Sequence, residues 1–128
     1  MSSCRVLHID DEPDILEIVA ASLALDPEFE VRGCSSGADG LAAAAEWRAD
    51  LILLDVMMPI MDGPATLRHL RGNPKTANIP VVFMTARAQS RELEHFRSLG
   101  ATNVIVKPFD PMTLAALLRR QMQPVDAG

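Results

Sequence analysis

The sequence predicts an α/β domain with a parallel sheet covered by helices on both faces. Short apolar runs at Cys4–Ile9, Phe29–Cys34, Leu51–Leu54, Val81–Thr85 and Val104–Lys107 alternate with helical segments. Regular strand–helix alternation implies right-handed crossovers and a sheet buried between helix layers. Runs such as Leu51–Ile52–Leu53–Leu54 and Val104–Ile105–Val106 are unbroken, as befits parallel strands that are covered on both sides.

Each helix carries its own signals. Pro13 fits a first helical position, and Asp14 and Glu17 follow in the positive N-terminal region. In that helix Leu16, Val19, Ala20 and Leu23 form one apolar stripe for the core, with Ile15 and Ile18 displaced from it. Ser36 with Asp39 three residues on resembles a capping box. Trp47, near the end of the second helix, is a packing residue. Pro74 and Pro80 bracket a polar connection after the third helix. Gly100 follows Leu99 as a C-terminal stop for the fourth. Asp110–Pro111 supplies an N-cap and a first-turn proline for the last, whose Leu114, Leu117 and Leu118 form its core stripe. Pro124 to Gly128 form a short frayed tail.

The length, 128 residues, suits a single core, and 48% apolar residues exclude a disordered chain. Net charge is −5 without a Lys/Arg cluster, which argues against a nucleic-acid footprint. No apolar stretch approaches membrane-spanning length and Met1–Ser2–Ser3 is no signal peptide, so a cytoplasmic protein is expected. Cys4 opens the first strand and Cys34 closes the second. Parallel pairing would hold these thiols ~17 Å apart, whereas a disulfide needs Cα atoms within about 7 Å. Two reduced thiols are expected.

The candidate site lies at the strand ends. Asp10 and Asp11 close the first run and Asp55 the third. Parallel strands bring these carboxylates to one sheet edge, where open α/β sheets place ligands. Like charges so close repel, and a hard divalent ion such as Mg²⁺ relieves that repulsion through oxygen ligands. Thr85 and Lys107 end the fourth and fifth runs. Carboxylates, a hydroxyl and an ammonium together suit the handling of one phosphoryl group. A single aspartate here would be read as a solvated cap or turn residue. His8, mid-strand among apolar neighbours, reads as a half-buried packing residue, and His69 and His95 as solvated. Met57, Met58 and Met61 read as loop packing rather than a soft-metal site.

Four stretches, Asp10–Asp11–Glu12–Pro13, Asp55 through Gly63, Thr85–Ala86 and Lys107–Pro108–Phe109, occur in an order that resembles the receiver domains of two-component response regulators. The resemblance covers almost the whole chain. It implies a flavodoxin-like three-layer fold with strand order 2-1-3-4-5. It also implies that Asp55 is the phosphoacceptor, serving a histidine kinase or a histidine phosphotransfer protein. Asp11, Asp55 and the Met57 carbonyl would ligate Mg²⁺ (Mn²⁺ as a substitute), with Asp10 holding it largely through water. Lys107 and Thr85 would contact phosphoryl oxygens, the Ala86 backbone would approach closely, and Lys107–Pro108 would be cis. Ile15, Ile18, Pro108 and Phe109 would dock the phosphodonor. Met57 and Arg87, two residues after Asp55 and after Thr85, would tune hydrolysis.

Where receivers commonly carry Tyr or Phe three residues before the lysine, this chain has Val104, and it has no Tyr at all. That departure bears on the switch pair Thr85 and Val104. A haloacid-dehalogenase-type phosphatase would want a second Asp where Met57 stands. A flavodoxin-type cofactor module would want a phosphate cradle where Asp10–Asp11–Glu12 stands. The expected organisation is a receiver domain over residues 1–123, a tail over 124–128 and no output domain. Such a protein acts by binding an unidentified downstream protein or by passing phosphate on, as a monomer or weak dimer. A receiver excised from a hybrid kinase would read the same.

Overall fold

The computed structural model describes residues 4–86 and 89–122. Five strands alternate with five helices: β1 Cys4–Ile9, α1 Pro13–Ala24, β2 Phe29–Cys34, α2 Gly37–Trp47, β3 Leu51–Asp55, α3 Gly63–Gly72, β4 Val81–Thr85, α4 Ser90–Ser98, β5 Asn103–Val106 and α5 Leu114–Met122. The strands form one parallel sheet in the order β2-β1-β3-β4-β5. The flavodoxin-like topology expected from the sequence is therefore what the chain adopts. The order reverses between β1 and β3, so the chain leaves the sheet in opposite directions there and opens a crevice at the carboxyl ends.

Both faces of the sheet are covered. Leu7, Ile9, Ile52, Leu54, Val81 and Phe83 pack with Leu67, Leu70 and Phe96 beneath α2, α3 and α4. Val6, Leu51, Leu53, Val82 and Met84 pack with Val19, Leu23, Leu114 and Leu118 beneath α1 and α5. β3 and β4 are buried at every position, which is why their sequences are unbroken apolar runs.

Helix ends follow local chemistry. Ser36 accepts the Asp39 N–H and Asp62 the Ala65 N–H, which caps α2 and α3. Gly100, at φ 106°, ends α4; its N–H reaches the Arg97 carbonyl and that of Ala101 the Phe96 carbonyl. This paired bonding requires the left-handed conformation that glycine adopts freely.

Several expectations need correction. Ala20 is exposed, while Ser22 is buried and bonds the Pro111 carbonyl. The inward face of α1 is rotated toward Val19, Ser22 and Leu23, with Ile15 flanking the core and Leu16 lying over Gly33. Asp110 does not cap α5 directly. It caps a turn through Met112 N–H, and α5 starts at Leu114. β5 begins at Asn103 and ends at Val106, because Pro108 has no N–H to extend the ladder. Lys107–Pro108 is cis. Cys4 pairs in register with Phe29, and Cys34 with Ile9, so the two free thiols lie at opposite ends of the β1–β2 pair. Burial and nearby Asp50 push the Cys4 thiol up to about 11, in keeping with an inert, protonated side chain. No helix among the described residues is long and apolar enough to cross a membrane.

Candidate functional site

The ends of β1, β3, β4 and β5 bring five of the predicted residues to one edge. Asp10 is fully buried, Asp55 and Thr85 nearly so, and Asp11 is half-buried. Lys107 reaches in from beyond β5, its Nζ 3.2 Å from Asp55 Oδ1 and 3.4 Å from Asp10 Oδ2. Its own N–H donates to the Thr85 carbonyl at 2.7 Å, so the residue continues the ladder although the strand has ended. Asp10 Oδ1 accepts the Glu12 N–H at 3.0 Å, which closes the turn into α1.

Four carboxylates, from Asp10, Asp11, Glu12 and Asp55, each place an oxygen within 4.8 Å of the others. Among the described residues the Lys107 ammonium faces them. Asp11 Oδ1 is buried without a hydrogen-bond partner among the described residues, a costly state for a carboxylate oxygen. An all-oxygen donor set with an orphaned oxygen fits a hard divalent cation. Glu12 is a member that the sequence reading did not single out, although its place in the acidic run was a usable signal.

The crowding separates the carboxyl groups electrically. Burial and the neighbouring Asp10 charge push the Asp55 carboxyl up to about 6, against the pull of Lys107. Burial also acts upward on Asp10, but the His8 contact, the Glu12 N–H and Lys107 outweigh it and hold that carboxyl below its usual value. Lys107 is held above its usual value, because the Asp10 and Asp55 charges outweigh its burial. A proton entering the metal-free site therefore goes to Asp55 first.

The loop after Asp55 is shaped by close approach. A Cβ on Gly63 would stand 2.6 Å from the Asp55 carbonyl oxygen and 2.9 Å from Val56 Cα, so only glycine lets α3 start this near Asp55. Met58 is buried, whereas Met57 is exposed at the loop surface, so loop packing describes the first and not the second. Ile60 is fully exposed with φ 70°, a strained conformation for a β-branched side chain.

Ile15, Ile18, Pro108 and Phe109 come together, with Ala86, Lys107 and Pro111, in an apolar groove of about 320 Å³ beside the acidic cluster. Val104 is half-buried on β5, opposite Phe83 in register, and packs against the α4 side of the core. Arg87 lies outside the described residues. His69 and His95 are exposed as expected. His8 is not half-buried: it is 1% exposed, with Nε2 3.3 Å from Asp10 Oδ2. The period-two alternation of β1 sets it on the same face as Asp10, and that signal was available in the sequence.

An acidic pocket at the switch point of a parallel α/β sheet, closed by a strand-end lysine, defines a class of proteins that handle phosphoryl groups with a divalent ion. Residues 6–119 match the response regulator receiver domain model. The chain belongs to that family, and so to two-component signalling. Over 122 residues, covering 95% of this chain, it is 34% identical to the DNA-binding dual master transcriptional regulator RpaA of Synechocystis sp.. It is 38% identical over 117 residues to response regulator PleD of Caulobacter vibrioides. These matches span 50% of RpaA and 26% of PleD, both longer proteins. The solved chemotaxis response regulator CheY4 of Vibrio cholerae superposes with a TM-score of 0.86 at 32% identity, covering 94% of this chain and 99% of that one. Receiver domains are in general signalling phosphoacceptors, and the acidic cluster fits that role.

Proposed function

We propose that Asp55 accepts a phosphoryl group from a histidine kinase or a histidine phosphotransfer protein, with Mg²⁺ held by Asp11, Asp55 and the Met57 carbonyl and by Asp10 through water. The observation that carries this reading is the clustering of four carboxylate oxygens within 4.8 Å of one another beside Lys107, with Asp11 Oδ1 orphaned among the described residues. In the transfer an Asp55 oxygen attacks phosphorus. The nitrogen–phosphorus bond of the donor breaks, its electron pair returns to the imidazole, and an acyl phosphate forms. Bound Mg²⁺ supplies positive charge that favours the ionised carboxylates and screens the phosphoryl oxygens.

The remaining steps fall to the chain's own groups. Lys107 already spans Asp10 and Asp55, and a small turn of its Nζ would pair it with a phosphoryl oxygen. Thr85 donates its hydroxyl to another, and the Ala86 backbone lines the approach. Met57 and Arg87 tune hydrolysis of the product. The groove of Ile15, Ile18, Pro108 and Phe109 takes the donor's apolar side chains. Val104 has no ring to turn inward and few rotamers to exchange. The response therefore concentrates at Thr85 and the start of α4 rather than along β5 and α5. The domain extends over residues 1–123, and it acts in the cytoplasm on a downstream protein.

Incubation with acetyl phosphate and Mg²⁺ tests the assignment. The wild type gains one phosphoryl mass and Asp55→Asn gains none, since an amide is a poor nucleophile. Undiminished labelling of that variant would refute it.

A further inference from the structure

His8 stands on the α1 and α5 face of β1 with Val6 and Asp10. Its register neighbours are Gly33 on β2 and Leu53 on β3. Gly33 has no side chain, Leu16 fills the space above it, and Leu53 belongs to the apolar cluster with Met84 and Leu114. A purely packing residue here would be apolar. Instead an imidazole is buried to 1% exposure, and neither ring nitrogen makes a well-formed hydrogen bond with a described residue. Leaving both unpaired costs stability that an aliphatic side chain would not. Asp10 Oδ2 lies 3.3 Å from Nε2.

We propose that His8 is a positioning residue for the divalent-cation site: the tautomer protonated on Nε2 donates to Asp10 Oδ2 and fixes the orientation of that carboxylate. The inference rests on the reading of the acidic cluster given above. With Oδ2 held from below by His8, Oδ1 stays on the Glu12 N–H and the carboxylate cannot rotate. Lys107 cannot perform this task throughout the reaction. It is shared between Asp10 and Asp55, and it leaves Asp10 when it turns to the phosphoryl group. His8 is then the side chain that still holds Oδ2, so Asp10 keeps its place while the charge around it changes. Loss of a group that orients a metal-binding carboxylate in this way typically weakens metal affinity by roughly tenfold or more.

The test is a Mg²⁺ titration of the whole chain, read by the amide shifts of Asp11 and Asp55, on wild type, His8→Leu and His8→Gln. The glutamine amide places an N–H donor where Nε2 stands. The leucine variant should keep a folded spectrum and bind Mg²⁺ about tenfold more weakly, with the glutamine variant within about twofold of wild type. His8→Phe keeps a planar ring without the donor and gives the same comparison if the leucine variant does not fold. Equal Mg²⁺ affinity in wild type and the donor-free variants would overturn the role of His8 while leaving the site intact. Equal weakening in the leucine and glutamine variants would also overturn it, as a packing effect. A wild type without Mg²⁺ binding would overturn the site reading itself, and this inference with it.

Discussion

The two ends of the sheet handle charge in opposite ways. At the amino ends of the strands, Arg5 faces Glu30 at 3.6 Å, bonds the Trp47 carbonyl at 2.8 Å and stacks with Arg32 over the Trp47 ring, while its N–H reaches Asp50. The charged groups there are exposed, and each has an opposite charge, a ring or a backbone N–H beside it. At the carboxyl ends, Asp10 and Asp55 are buried, four carboxylates crowd together, and Asp10, Glu12 and Asp55 share Lys107. Exposed pairs are screened and contribute little to stability. Buried like charges cost stability until a cation arrives. The second end is therefore where the fold gives up stability, and it is where the proposed phosphoryl site lies.

Substitutions at the two ends should separate by orders of magnitude. Lys107→Met removes the ammonium that faces Asp55, and the initial rate of labelling by acetyl phosphate should fall about a hundredfold, as loss of a transition-state charge partner does. Arg5→Met, in the same assay, should stay within about twofold, since its pairs are screened. Equal losses would erase the contrast between the ends.

The groove beside the site is apolar rather than charged, so its effect should depend on the donor. Ile15→Ala combined with Ile18→Ala should slow transfer from the cognate kinase about tenfold, as truncated anchors do, yet leave acetyl phosphate labelling nearly unchanged. Parallel loss with both donors would point to a folding defect.

Strain near the acceptor is a smaller term. Ile60→Asn should raise stability by about 1 kcal/mol in urea titration, because asparagine tolerates the left-handed conformation and the isoleucine side chain packs against nothing. Arg5→Met should change stability least, by under about 0.5 kcal/mol.

The strand ends were legible in the sequence because β3 and β4 are buried throughout and β1 from Val6 onward, and their apolar runs stop where a polar side chain meets the crevice. Asp10, Asp11, Asp55, Thr85 and Lys107 could be placed together for that reason. The rotation of α1 was not legible, since Leu16, Ala20 and Ser22 are small or apolar enough to read either way, and the Pro111 carbonyl that Ser22 bonds lies 89 residues on. Burial of His8 depends on Gly33 across the β1–β2 pair and on Leu16 above it, a three-element arrangement that no local pattern encodes. The left-handed Ile60 contradicts local preference and shows only in the backbone.

Asp55, crowded by like charges, should cost stability until a divalent cation is bound. Its carboxyl is raised to about 6 in the fold from 3.8, so its protonation favours the folded state. That contribution is present at low pH and lost as pH rises through about 6. Asp10, held below its usual value, acts in the opposite sense and loses its contribution only in stronger acid. At pH 7 without metal, the ionised Asp55 should therefore cost on the order of 2 kcal/mol. Thermal melts of wild type and Asp55→Asn at pH 7 and pH 5, with and without Mg²⁺, measure this directly. Metal-free Asp55→Asn should melt roughly 7 °C above wild type at pH 7, and the gap should shrink at pH 5. Mg²⁺ should raise the wild type more than the variant. A metal-free variant that melts at or below wild type at pH 7, or a wild type that Mg²⁺ leaves unchanged, would contradict the account.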